Sequence, residues 1–263
     1  MGIVNLTPDS FSDGGLSMNH EAAVSHARRL AAEGADILDL GGESSRPGAE
    51  PVALEEELRR VIPVVETLAA EMSIPISVDT NKAEVARQAL KAGASIINDI
   101  SALGFDPAMA AVAADSGVGV VLMHMRGTPA TMQMSMQYND VVAEVYDFLA
   151  RRIEWTLAQG IPRERIAIDP GIGFAKTHQH SFEILRSLRR FESLDCAILI
   201  GTSRKGLLGK ITGRSVVERA AGSVASSLAA CLNGARVVRV HDVAPMVDTI
   251  KVWTVLQGWG DSP

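Results

Sequence analysis

Short apolar runs rich in β-branched residues alternate with longer helical patterns, and this alternation constrains the fold more than any other feature. The predicted strands are residues 2–5, 36–40, 76–78, 95–97, 119–123, 166–168, 197–200 and 237–240. The predicted helices are residues 20–33, 54–71, 82–92, 107–115, 140–159, 179–191, 216–233 and 243–256. Because helices that connect successive strands demand a parallel sheet, eight such units predict a (β/α)8 barrel.

The alternative is a doubly wound open sheet, which is disfavoured because no glycine-rich dinucleotide fingerprint follows any predicted strand. No shift in composition marks a boundary, so we expect one domain over residues 1–263. Glycine stands just past five helical patterns, where it ends helices: Gly34, Gly93, Gly117, Gly160 and Gly234.

Polar or ionisable residues stand at the carboxyl end of every predicted strand. They are Asn5, Asp39, Asp79, Asn98 with Asp99, His124, Asp169, Ser203-Arg204-Lys205, and Arg239 with His241. In a closed barrel these ends meet on one face, where such folds build active sites from several strands. The pattern therefore predicts a composite polar site.

Lys205, Arg239 and His241 come from the last two strands and the loops after them, and they indicate an anion site. Helix capping does not explain them, because cations oppose the positive amino end of a helix; solvated surface charge is the alternative. The chain has 25 Lys and Arg against 31 Asp and Glu, a net charge of −6. No general attraction to nucleic acid or to anionic membrane follows from that balance, so a phosphate ligand needs a local cluster.

Asp79, Asn98 and Asp169 form the opposite wall of the predicted site. A buried carboxylate must be paired, and the N–H donors of a planar heterocycle would satisfy it well. For Asp169 the simpler alternative is that it caps the turn at Pro170 and Gly171. The loops at residues 6–15 and 41–48, polar and glycine-rich, are predicted lids, with plain surface connections as the alternative.

The sequence resembles the dihydropteroate synthase family over essentially its whole length. The motifs that carry the resemblance are MGIVNLTPDSFSDGG at 1–15, GESSRPGA at 42–49, VDT at 78–80, IND at 97–99, MHM at 123–125, DPGIGF at 169–174, SRK at 203–205 and VRVHD at 238–242. The resemblance implies condensation of 6-hydroxymethyl-7,8-dihydropterin pyrophosphate with p-aminobenzoate. The alternatives are a non-catalytic pterin-binding paralogue and a methyltetrahydrofolate-dependent methyltransferase.

Family resemblance also implies a role for each site residue. Pterin would be held by Asp79, Asn98, Met123, Asp169 and Lys205; pyrophosphate by Asn5, Ser45, Arg239 and His241; and p-aminobenzoate by Ser45, Arg46, Pro47, Phe174, Ser203 and Lys205. The catalytic groups would be Lys205, Arg239, His241, Asp79 and Asp169, with Asn5 as the protein ligand of Mg²⁺. The family is also a sulfonamide target and forms homodimers.

Several positions depart from the family pattern, among them Ser45, Arg126, Ala175 and Ser181. Ser45 replaces the more common Thr, and Ala175 stands where Gly is usual, so Ala175 is restricted if that position needs positive φ. Cys196 and Cys231 show no metal-ligand spacing, and no signal peptide, myristoylation signal or membrane-spanning stretch is present. A cytoplasmic location is therefore expected.

Overall fold

The computed structural model describes residues 1–7, 16–134 and 136–259. Most of the predicted lid at residues 6–15 therefore lies outside the described residues. Everything that follows concerns the described ranges.

All eight predicted strands are present and pair in parallel in sequence order. They are β1 (Gly2–Asn5), β2 (Leu38–Gly41), β3 (Ile76–Asp79), β4 (Ile96–Asp99), β5 (Gly119–Met123), β6 (Ile166–Asp169), β7 (Ala197–Ile200) and β8 (Val237–Val238). A parallel bridge between Gly2 and Val240 joins the last strand to the first, with Ile3 N donating to Val240 O at 3.0 Å. The sheet is therefore closed, and the predicted barrel is confirmed over the open sheet.

Helices alternate with the strands around the outside of the barrel. They are α1 (Leu16–Ala32), α2 (Leu54–Glu71), α3 (Ala83–Lys91), α4 (Met109–Ser116), α5 (Val141–Ala158), α6 (His178–Arg186), α7 (Gly206–Thr212), α8 (Ala220–Leu232) and α9 (Val243–Leu256). Positive φ at Gly34, Gly93, Gly117, Gly160 and Gly234 confirms the predicted stop signals.

Four main details differ from the predicted helices. The first helix begins at Leu16 instead of residue 20. The helix predicted at 179–191 ends at Arg186 and continues as a 3₁₀ segment, Leu188–Leu194. The helix predicted at 216–233 begins only at Ala220, after a 3₁₀ turn at Val216–Glu218. The seven-residue α7 was not predicted, because two glycines in its sequence hide its short apolar pattern.

Side chains from all sides fill the barrel interior, with apolar groups below and polar groups above. The lower layer is apolar and packs Met1, Val121 and Leu199 against neighbours from other strands. Since side chains of a strand alternate between its faces, residues two positions further along also point inward. This alternation points one residue each of β2, β3, β4, β5 and β6 inward near the carboxyl ends of the strands, in what we call the polar layer: Asp39, Asp79, Asn98, Met123 and Asp169.

Candidate active site

Arg239 is the centre of the polar layer and joins two strands that precede it by more than 150 residues. Its Nε donates to Asp39 Oδ2 at 2.6 Å, and one Nη donates to Asp79 Oδ2 at 2.7 Å. Asp39 is fully buried, whereas Asp79 and Arg239 reach the opening above the barrel. The guanidinium still has three N–H groups for a ligand.

This pairing changes the electrostatics expected of the anion site. Burial lowers the pKa of Arg239, but Asp39 and Asp79 raise it more, so the guanidinium stays charged. Burial raises the pKa of Asp79 to about 7, although Arg239 opposes the shift. The site therefore holds a cation partly neutralised by carboxylates instead of an isolated positive cluster.

Asp39 was predicted at a strand end but was not assigned a ligand role. Besides Arg239 it accepts from Asn98 Nδ2, at 3.2 and 3.3 Å to its two oxygens. It thereby orients two side chains that face the opening. The sequence did contain an indication of this role: Asp39 stands between Leu38 and Leu40 in an apolar strand. A carboxylate buried in such a strand needs a charged partner.

Asp169 turns the chain and faces the site with the same carboxylate. Its Oδ1 accepts from Gly171 N at 2.7 Å, which is the predicted turn-capping interaction. Burial raises the pKa of Asp169, while Lys205 opposes the shift. Within the described residues no hydrogen bond engages Oδ2, so this oxygen is available to a ligand.

The turn after β6 requires positive φ at Gly171 and at Ala175. Gly171 has φ of 71°, and a Cβ there would lie 2.0 Å from the His124 carbonyl oxygen. Ala175 has φ of 48°, so a residue with a side chain occupies the left-handed region, as suspected from its replacement of Gly. The methyl group of Ala175 packs against Met123 and Phe174 in a small apolar cluster.

Lys205 reaches the same turn from the loop after β7. Its Nζ donates to the Ile172 carbonyl and lies 4.7 Å from the centre of the Phe174 ring. Burial lowers the pKa of Lys205 to about 8, while Asp169 opposes the shift. Lys205 is thus a cation beside the Asp169 carboxylate and an aromatic face.

His241 is neutral near pH 7, because burial and the nearby Arg204 and Arg239 lower its pKa to about 4. Ser203 Oγ accepts from the His241 backbone N at 3.1 Å and lies 2.9 Å from its Nδ1. If the hydroxyl donates to Nδ1, the ring keeps its proton on Nε2, where it can donate to an anion. The side chain of Ser203 therefore faces His241, on the side predicted to bind pyrophosphate.

The segment after β2 carries three predicted p-aminobenzoate residues. Ser45 is half-buried, whereas Arg46 and Pro47 are exposed. Gly48 N donates to the Pro129 carbonyl at 3.0 Å, so the tip of this segment touches the loop after β5. Arg46 is close enough to His241 to lower its pKa slightly.

His124 is the strand-end residue that the fold turns away from the site. It follows the inward-facing Met123 and packs edge-on against Phe148 of α5, with ring centroids 4.9 Å apart. Its Nδ1 lies 2.7 Å from the buried Lys176 Nζ, which also donates to the Phe174 carbonyl at 3.0 Å. His124 and Lys176 therefore stabilise the turn after β6 on the side that faces away from the site.

A metal ion would find few protein ligands here. Among the described residues no cluster of three or more His, Cys, Asp or Glu side chains could hold one. Asn5, half-buried at the end of β1, makes no side-chain hydrogen bond within the described part of the chain. Mg²⁺ retains water and takes one or two protein oxygens plus substrate phosphates, so this single amide fits its chemistry.

No helix in the described ranges is both long and apolar enough to cross a bilayer.

The chain is similar to dihydropteroate synthases in sequence and in structure. The relative from Escherichia coli strain K12 is 46% identical over 252 residues, which cover 96% of this chain and 89% of the relative. Dihydropteroate synthase of Xanthomonas albilineans with 4-aminobenzoic acid has a TM-score of 0.93 and 52% identity, covering 98% of this chain and 92% of the other. The same protein in complex with 7,8-dihydropteroate has a TM-score of 0.89 and 49% identity, with the same coverage.

A family model described as pterin binding enzyme matches residues 1–241, which contain every strand and every predicted site residue. The chain therefore belongs to the pterin-binding enzyme family.

Proposed function

We propose that this chain is a dihydropteroate synthase. It condenses 6-hydroxymethyl-7,8-dihydropterin pyrophosphate with p-aminobenzoate and releases pyrophosphate. The observation that carries the proposal is the polar layer in which Arg239 bridges Asp39 and Asp79, with Asp169 and Lys205 on the same rim. Near-full-length similarity to dihydropteroate synthases supports the same activity.

Pterin is held by side chains that complement its flat, donor-rich edge. The carboxyl groups of Asp79 and Asp169 and the amide of Asn98 accept from ring N–H groups, and Lys205 donates to a ring acceptor. Met123 supplies apolar contact below the ring, since it is buried at the end of β5. Buried carboxylates beside the ring also stabilise the positive charge that develops on it.

The reaction breaks the bond between the pterin methylene carbon and the pyrophosphate oxygen. The bond electrons leave with pyrophosphate, where Arg239 and the neutral His241 donate hydrogen bonds, together with Ser45 from the loop. Nitrogen of p-aminobenzoate then forms a bond to the methylene carbon and loses a proton to the medium. Asn5 would hold Mg²⁺, which would help to neutralise the charge on the leaving pyrophosphate.

p-Aminobenzoate lies between the segment after β2 and the turn after β6. Phe174 provides an aromatic face beside Lys205, with 4.7 Å between Nζ and the ring centre. Ser45, Arg46 and Pro47 cover it from the opposite side. Ser203 borders the pocket from the loop after β7, although its hydroxyl is bonded to His241. The exposure of Arg46 and Pro47 fits a segment that closes over the bound substrate.

Assembly and location are proposed with the function. We propose one domain over residues 1–263, a homodimer and a cytoplasmic location. Exposed apolar side chains on the α7, α8 and α9 side support the dimer; they include Ile211, Val217 and Leu256. Sedimentation velocity at micromolar concentration tests it, and a monomer there would contradict it.

The activity test mixes the purified protein with pterin pyrophosphate, p-aminobenzoate and Mg²⁺ and measures pyrophosphate and dihydropteroate. Equal amounts of the two products are expected. Binding of the pterin without either product would instead identify a non-catalytic paralogue.

A further inference from the structure

The segment from residue 41 to residue 52 joins β2 to α2 and carries Ser45, Arg46 and Pro47. Its base is packed tightly on α2: a Cβ at Gly42 would lie 2.7 Å from Val61 Cγ2 and 2.9 Å from Glu57 Cγ. Arg60 also donates to the Gly42 carbonyl at 2.9 Å. The base of the segment therefore has a fixed position.

Glu43, the next residue, closes the segment with its side chain. Its Oε2 accepts from Val52 N at 2.9 Å and from Lys82 Nζ at 2.5 Å. One carboxylate oxygen thus ties the two ends of the segment together and connects both to Lys82.

Lys82 also connects the segment, through Glu57, to the end of β3. Its Nζ also donates to Glu57 Oε2 at 2.5 Å, and Glu57 Oε1 accepts from Thr80 Oγ1 at 2.7 Å. Glu57 is fully buried, and Thr80 directly follows Asp79. Partial burial lowers the pKa of Lys82, but Glu43 and Glu57 raise it more, so the ammonium remains charged.

The outer part of the segment has few contacts of its own among the described residues. Gly48 N donates to the Pro129 carbonyl at 3.0 Å, and Ala49 N donates to the Arg46 carbonyl at 3.0 Å. Arg46 N approaches Ser44 Oγ at 3.4 Å. The position of Ser45, Arg46 and Pro47 therefore depends on the bonds that Glu43 makes.

We propose that Lys82 is a positioning residue for the arylamine pocket: its ammonium, held between Glu43 and Glu57, sets where the segment carrying Ser45, Arg46 and Pro47 lies above the site. Lys82 touches neither substrate in this role. The inference rests on the proposed function, because it takes those three residues as the p-aminobenzoate pocket. Pterin binding, which uses the barrel layer, does not depend on it.

Steady-state kinetics with both substrates varied tests the proposal on Lys82→Met, Lys82→Arg and Glu43→Gln. Lys82→Met should raise the KM for p-aminobenzoate at least tenfold and the KM for pterin pyrophosphate by a much smaller factor, because of the three segment residues only Ser45 also serves the pyrophosphate. Lys82→Arg should have a KM for p-aminobenzoate close to the wild-type value, since a guanidinium can also bridge two carboxylates. Glu43→Gln should shift the same KM in the same direction.

Arg28→Met is the matched control. Arg28 pairs with Glu71 at 2.6 Å and links α1 to α2 far from the site, so its loss should leave both KM values unchanged. Hydrogen exchange gives a second readout: the peptide covering residues 43–52 should exchange faster in Lys82→Met and Glu43→Gln, and at the wild-type rate in Arg28→Met. A purely structural role for Lys82 would not produce this selectivity.

Three outcomes would overturn the proposal: unchanged KM values in Lys82→Met, a parallel rise in both KM values, or unchanged exchange of the 43–52 peptide. If Lys82→Met does not fold because Glu57 loses its counter-ion, Glu43→Gln decides alone, since Glu43 is less deeply buried. Absence of turnover in the wild-type protein would refute the proposed function instead, so the two failures are distinguishable.

Discussion

Replacing Gly171 by Ala tests whether the turn after β6 is fixed by backbone geometry. Gly171 has φ of 71°, and an L-residue in this region costs about 1–2 kcal/mol. The new Cβ would also stand 2.0 Å from the His124 carbonyl oxygen, so the turn would have to move by about 1 Å to reach even 3.0 Å. Overpacking of this kind adds about 1–3 kcal/mol.

The His124 carbonyl cannot move away freely, because His124 N donates to the Asp169 carbonyl at 2.9 Å and holds β5 to β6. The strain must therefore be taken up by the turn that carries Asp169 and Phe174. We expect Gly171→Ala to lower the free energy of unfolding by about 2–5 kcal/mol in total. A displacement of about 1 Å should also reduce kcat/KM by roughly 100-fold.

Gly173→Ala provides the control within the same turn. Gly173 has φ of 81°, but its nearest neighbour to a new Cβ is Lys205 Cδ at 3.5 Å, an ordinary contact. This variant should lose only the backbone contribution of about 1–2 kcal/mol. Urea unfolding followed by circular dichroism measures both variants, and equal destabilisation of the two would refute the reasoning.

Three further predictions concern the charged layer. Burial raises the pKa of Asp79 to about 7 from its ordinary 3.8, so the stability that its protonated form contributes is fully present below about pH 4 and is lost as pH rises toward 7; urea midpoints of Asp79→Asn should lack this decline, and curves parallel to wild type would contradict it. Asp39→Asn should destabilise the fold by about 3–5 kcal/mol, because it removes one partner of a buried ion pair; a loss below about 1 kcal/mol in urea unfolding would contradict this expectation. Lys205→Ala and Arg239→Ala should each lower kcat about 10²–10³-fold in the product assay, and near-normal rates in both would refute their roles.

The fold was largely predictable because its signals are local. Runs of β-branched residues marked every strand, and β1, β5 and β7 have the predicted bounds. Glycine after a helical pattern marked where helices end, which positive φ confirms. The elements that escaped prediction, α7 and the 3₁₀ segments, are short and depend on tertiary contacts more than on periodicity.

The site was predictable as a set of strand ends but not as a set of contacts. Which of Met123 and His124 points inward depends on strand register, because a shift of one residue exchanges the two faces. The pairing of Arg239 with Asp39 joins residues 200 positions apart, a distance at which no local pattern gives information. Ala175 was recognisable only as a departure from the family, and its φ of 48° is a property of the turn.

The bridge between β8 and β1 has a consequence for folding during synthesis. Asp39 and Asp79 are made early in synthesis, whereas Arg239, their counter-ion, is made about 160 to 200 residues later. Until then the two carboxylates would be costly to bury, so the growing chain gains little by closing the upper barrel early. Barrel closure and ion pairing should therefore form one late, long-range folding event, and the nascent chain is not a catalyst until its last strand joins its first.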